Sequence, residues 1–129
     1  MAPGPSTISH SHRALRQASA HAEAIRVFGD EAKDRRRLAL RMAEEAFEFL
    51  QTQGLTPADL MKVAADVYAR PPGRSADEMG DLALMMLNVS ENLGISLDGA
   101  EASALARFRT INPDRLREKN AAKVARGLV

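Results

Sequence analysis

Five carboxylates stand out by type and spacing: Glu44, Glu45 and Glu48 in one stretch, Glu78 and Asp81 in another. Separations of three and four residues put side chains on one face of an α-helix. Glu45–Glu48 and Glu78–Asp81 are therefore i,i+3 pairs and Glu44–Glu48 an i,i+4 pair. Like charges at these separations destabilise a lone helix by about 0.2–0.5 kcal/mol each. A solvated helix would interleave lysines, yet no basic residue lies between Met42 and Met61. The acids also interrupt apolar ladders. Leu38, Met42, Glu45 and Phe49 follow helical spacing, as do Glu78, Leu82, Met85, Val89 and Leu93, with Asp81 beside Met85. The carboxylates thus share the stripe expected to face a bundle interior. Burying unpaired carboxylates there costs several kcal/mol unless a cation compensates. Arginine or lysine could serve, but hard oxygen donors converging from two helices match magnesium, with manganese as a substitute.

Each acid also has an ordinary reading. Glu78 fits the N3 position of a capping box opened by Ser75, Asp77 suits a first turn, and Glu44 suits a solvated surface. The joint pattern favours the ion, because both stretches repeat the i,i+3 pair on an apolar stripe.

The elements that must position these groups read as helices throughout, with no period-2 strand and no repeat. Segments are expected at about Ala14–Phe28, stopping at Gly29, and at about Glu31–Gln53, stopping at Gly54. Thr56-Pro57-Ala58-Asp59 opens a short helix to about Ala69, and Arg70-Pro71-Pro72-Gly73-Arg74 forms a rigid loop. A fourth helix runs from Ser75 to near Leu93, and a fifth from about Leu97 to Thr110 after Ser96. Asn112-Pro113 either kinks the chain or starts a last basic helix to about Arg126.

A chain of 129 residues gives one domain, read as 13–129 behind a flexible tail at 1–12 that is rich in Pro, Gly, Ser and His. Much of the 45% hydrophobic content is alanine, and aromatics are 4%, so the core is thin. This suits an all-α, four- to five-helix bundle completed by dimerisation into a homodimer or homotetramer. Zero cysteines exclude disulfides and thiolate metal sites and fit a cytoplasmic setting. No apolar run approaches the ~20 residues of a membrane span, so no membrane partner is expected. The net charge of +1 hides an asymmetry, because Arg107–Val129 is strongly basic. There Arg115, Lys119 and Lys123 form one stripe at i, i+4 and i+8. No Gly-rich phosphate loop is present, and His10, His12 and His21 are too loosely spaced to suggest a site.

With these residues in place, the sequence resembles the MazG-like family of all-α nucleoside triphosphate pyrophosphohydrolases. Arg41-Met42-Ala43-Glu44-Glu45-Ala46-Phe47-Glu48 carries the E-E-x-x-E half of that family's signature, and Asp77-Glu78-Met79-Gly80-Asp81 the E-x-x-D half. The resemblance in layout covers about Ala22 to Lys123. It implies magnesium-dependent hydrolysis of (deoxy)nucleoside triphosphates to the monophosphate and pyrophosphate, by metal-activated water attack on the α-phosphorus. By position, Glu45, Glu48, Glu78 and Asp81 would be metal ligands, and Glu44 would hold a further ion or orient the water. Glu44 and Glu45 are the expected catalytic residues. Arg74, Arg115, Lys119, Asn120 and Lys123 would bind substrate. Twenty-nine residues separate Glu48 from Glu78, towards or beyond the long end for the family. That insertion is expected to shape the base pocket or a subunit contact.

Three other readings compete. A phosphoribosyl-ATP pyrophosphohydrolase shares the architecture and the chemistry. A non-catalytic helical dimerisation module would keep the fold without the reaction. Nucleic-acid binding through the basic C-terminal segment would weaken steeply with salt, and the acidic stripe disfavours it.

Overall fold

The computed structural model describes residues 5–128, with side chains from His12 onward. Helices are the only regular structure among these residues, and no strand occurs among them. Six α-helices follow one another: α1 Pro5–Phe28, α2 Arg35–Thr52, α3 Pro57–Tyr68, α4 Ser75–Leu93, α5 Leu97–Arg109 and α6 Pro113–Ala125. A 3-10 turn, Gly29–Lys33, links α1 to α2.

Local chemistry explains most boundaries. Gly29 and Gly94 adopt left-handed φ of 63° and 67°, which a side chain would strain, and α1 and α4 end against them. Thr56 and Asp59 form a reciprocal capping box at α3, with Pro57 at the first helical position. Asn112 caps α6 by accepting from the Asp114 amide at 3.0 Å.

Three boundaries differ from the sequence reading. The expected Glu31–Gln53 helix is split, because Asp34 leaves the helical region at ψ 113° and accepts from the Arg37 amide at 3.0 Å. It is therefore the N-cap of α2, preceded by a separate 3-10 turn. Ser75 does not cap α4: Arg74 holds the N-cap position with no side-chain cap bond, and Ser75 is the first helical residue. Finally, α1 starts at Pro5 rather than near Ala14, a proline start suiting a first helical turn. Of the expected tail, residues 1–4 lie outside the described residues.

The chain divides into two compact units. The first comprises the chain up to Glu44 together with Leu105 onward. Here α1 packs on the 3-10 turn and on α6. Val27 and Ala32 are fully buried, and the Phe28 and Phe108 rings lie 6.2 Å apart. Two arginines tie helix ends together. Arg26 donates to the carbonyls of Phe108 and Arg109, and Arg117 to those of Val27 and Arg26. Carbonyls in a last helical turn lack partners further along their own helix, so the guanidinium groups add bonds there and match the negative helix end; the Phe108 carbonyl also accepts from the Ile111 amide.

The second unit is Glu45–Ala104. Within it no two helices pack closely together. Its large apolar side chains are mostly exposed, including Phe47, Met61, Met79, Leu84 and Met85. The helices of this unit carry apolar faces that the unit itself does not cover.

Candidate functional site

The expected site residues fall in two groups. In the first unit, Glu44 near the middle of α2 meets Lys123 on α6, with Nζ to Oε1 at 2.5 Å and both side chains about one-third exposed. An acid of the first motif and a member of the basic stripe, 79 residues apart, are thus partners. One turn from Lys123, Asn120 is the only buried polar residue described, at 6% exposure. Its Oδ1 accepts from Arg41 and its Nδ2 donates to Glu31, whose other oxygen pairs with Arg37. Arg41 also stacks over the Phe28 ring, 4.0 Å from its centroid. Arg115 and Lys119 point away into solvent, so the basic stripe is split between an engaged Lys123 and two exposed members.

An open cleft of about 410 Å³ borders this network, lined by Phe28, Gly29, Glu31, Arg117, Asn120 and Ala121. It combines an aromatic face with an amide, a carboxylate and a guanidinium, the mixture that suits a planar polar ligand. Of these residues the sequence reading nominated only Asn120. Arg41 opens the first motif and offered one signal. Phe28, Glu31 and Arg117 are joined by contacts between distant segments, for which spacing gives no cue.

In the second unit, Glu45, Glu48, Glu78 and Asp81 are all exposed. Their apolar neighbours on the same ladders, Phe49, Leu82 and Met85, are also exposed, at 41%, 44% and 55%. The sequence reading placed these stripes in the interior of the bundle; within a single copy they are not buried. Among the described residues, no three Asp, Glu, His or Cys side chains gather closely enough to hold an ion. The donor chemistry nevertheless suits magnesium, because each motif offers carboxylate oxygens without thiols or imidazoles. With Arg74 as N-cap, Glu78 has no capping duty, and its carboxylate folds back over Gly73, where a Cβ would collide with Oε1. Arg74 itself is largely exposed and sits 3.8 Å from Asp77.

The described residues define an all-helical protein in which two acidic motifs sit on separate helices. No family model matches the chain, and no curated protein or solved structure matches it. No described helix is long and apolar enough to cross a membrane.

Proposed function

We propose that this chain is a magnesium-dependent nucleoside triphosphate pyrophosphohydrolase, active as a homo-oligomer in the cytoplasm. It would cleave a (deoxy)nucleoside triphosphate to the monophosphate and pyrophosphate. The observation that supports this reading most is the Glu44–Lys123 pair. It joins two residues that were nominated for opposite parts of one reaction, an acid beside the ion and a cation beside the phosphates.

Glu45, Glu48, Glu78 and Asp81 would hold Mg²⁺, which when bound neutralises triphosphate charge and activates water. Glu44 would orient the attacking water. The water oxygen would bond to the α-phosphorus and release a proton to solvent, while the bond from phosphorus to the bridging oxygen breaks and pyrophosphate leaves. Lys123 would shift from Glu44 towards the charge growing on the leaving group, with Arg74, Arg115 and Lys119 as further phosphate partners. Asn120 stands by the cleft beside Phe28, where a base or sugar would lie.

The test is a panel of standard and modified (d)NTPs with Mg²⁺, scored for monophosphate and pyrophosphate, with phosphoribosyl-ATP included as the alternative substrate. Glu48→Gln and Asp81→Asn should each abolish turnover. Full activity in both variants would remove these residues from the site. A second reading, a non-catalytic dimerisation module, draws support from the uncovered apolar faces of Glu45–Ala104. No turnover on the panel together with no effect of Mg²⁺ on Tm would favour it.

A further inference from the structure

What the cleft of the first unit can recognise depends on which of its polar atoms are already spent. At about 410 Å³ it lies within the range of small-molecule sites. Both ends of the Asn120 amide are engaged, Oδ1 by Arg41 and Nδ2 by Glu31. Arg117 spends Nε on the Val27 carbonyl at 2.7 Å and one terminal nitrogen on the Arg26 carbonyl at 3.3 Å. Its other terminal nitrogen enters neither bond and keeps hydrogens to donate. Glu31 keeps more. One oxygen accepts from Arg37 and the other from Asn120, yet a carboxylate has about four lone-pair sites. Its side chain is 35% exposed and lines the cleft. The cleft thus offers two neighbouring acceptors from Glu31 and a donor from Arg117, beside the Phe28 ring.

Nucleobases answer this pattern unequally. The pairing edge of guanine presents two adjacent donors, the 2-amino group and N1–H, followed by the O6 acceptor. Adenine and cytosine set an amino donor beside a ring-nitrogen acceptor, and thymine has one N–H between two carbonyls. Each of these would point a lone pair at a Glu31 oxygen, leaving a polar group unpaired. The surrounding charge favours a ligand that carries phosphate as well as a base. The first unit holds fifteen Arg and Lys against seven Asp and Glu, whereas Glu45–Ala104 holds three against ten. A field of that sign gathers anions, and a neutral base or nucleoside would leave it unused.

We infer that this cleft selects guanine nucleotides, with Glu31 accepting from N1–H and the 2-amino group, and Arg117 donating to O6. The Phe28 ring supplies the apolar wall. The inference rests on the pyrophosphohydrolase reading only for the triphosphate that the base carries, and it adds the identity of the base. Glu31 is the specificity-determining residue, and Arg37 and Asn120 hold its carboxylate in position. A site built to bond two donors on one edge discriminates steeply against an analogue that lacks one of them.

The test is calorimetric titration of the full-length chain with dGMP, dIMP, 1-methyl-dGMP, dAMP and dCMP in EDTA, where binding is read without turnover. The base of dIMP lacks only the 2-amino group, and 1-methyl-dGMP loses only N1–H. Each should bind about 10-fold more weakly than dGMP, the loss expected for one hydrogen bond to a charged group. Affinities for dAMP and dCMP should be no higher than that for dIMP. By contrast 7-deaza-dGMP, whose pairing edge is intact, should match dGMP. Glu31→Gln should lower dGMP affinity to the dIMP level. Because Glu31 also holds Arg37 and Asn120, that variant can lose stability, and the ligand series on the wild-type chain then decides alone. Equal affinities for dGMP and dIMP overturn the inference, as does the absence of dGMP binding. Turnover of all four dNTPs with Mg²⁺ at equal kcat/KM overturns the base assignment and leaves the enzyme reading standing. Selective dGMP binding without turnover of any triphosphate does the reverse, keeping the guanine site and sinking the enzyme.

Discussion

Truncating Asn120 should unfasten the first unit. The amide is 6% exposed and bridges two charged groups, accepting from Arg41 and donating to Glu31. Hydrogen bonds to charged partners are worth about 1.5–3 kcal/mol each. Both partners are half-buried and keep other contacts, Arg41 with the Phe28 ring and Glu31 with Arg37. The lower end of the range therefore applies, and Asn120→Ala should cost about 3 kcal/mol in all. For a chain of this length that corresponds to a fall in Tm of about 10 °C, read by circular dichroism at fixed pH and ionic strength. Glu31→Ala combined with Asn120→Ala should be less harmful than the sum of the two, with a coupling of about 1–2 kcal/mol. An Asn120→Ala protein melting within about 2 °C of wild type would refute the bridging role. So would strict additivity with Glu31→Ala. A raised KM with unchanged Tm would instead make Asn120 a substrate contact alone.

Lys123→Met and Glu44→Gln should show a coupling of only about 0.5–1 kcal/mol, because the pair is one-third exposed. It should shrink in 1 M salt, and a coupling insensitive to salt would mean that packing, not charge, joins them. The Asp59 carboxyl is held below its ordinary value of 3.8, first by the backbone N–H of Thr56 and then by the Thr56 hydroxyl. Its contribution is fully present above that ordinary value and is lost as pH falls through the lowered one. The Tm advantage of wild type over Asp59→Asn should therefore be constant near neutrality and vanish in strong acid, and a gap that widens on acidification would contradict the capping geometry. Gly73→Ala would place a methyl against Glu78 Oε1, a flexible group that can swing aside. Tm should hardly change while Mn²⁺ affinity falls several-fold, and unchanged affinity would show that Glu78 is not a ligand.

The helices were legible wherever a local signal decides the backbone. Gly29 and Gly94 end their helices, and Thr56, Pro57 and Asp59 open α3, for reasons contained in a few consecutive residues. Asp34 was missed because Glu31–Gln53 contains neither glycine nor proline, and an aspartate cap looks like any surface acid until its carboxylate reaches the Arg37 amide. Ser75 was misassigned because the capping-box pattern is satisfied one residue away from the true boundary at Arg74. For the site, periodicity located both acidic motifs on helices but could not say what lies opposite each face. The Phe28–Arg41–Asn120–Glu31 network joins segments far apart in sequence, so no spacing rule encodes it. The uncovered stripes follow from the same limit, since a helical ladder marks an apolar face without naming the surface that meets it.

The arginine ties at the helix ends bear on how this protein would respond to a protease. Arg74 lies in an exposed loop, so trypsin should cut there readily. The fragments on either side of such a nick would still share the first unit, because Arg26 grips the carbonyls of Phe108 and Arg109 while Arg117 grips those of Val27 and Arg26. A cleaved sample should therefore travel as an intact particle on a native gel and resolve into two peptides only in denaturant.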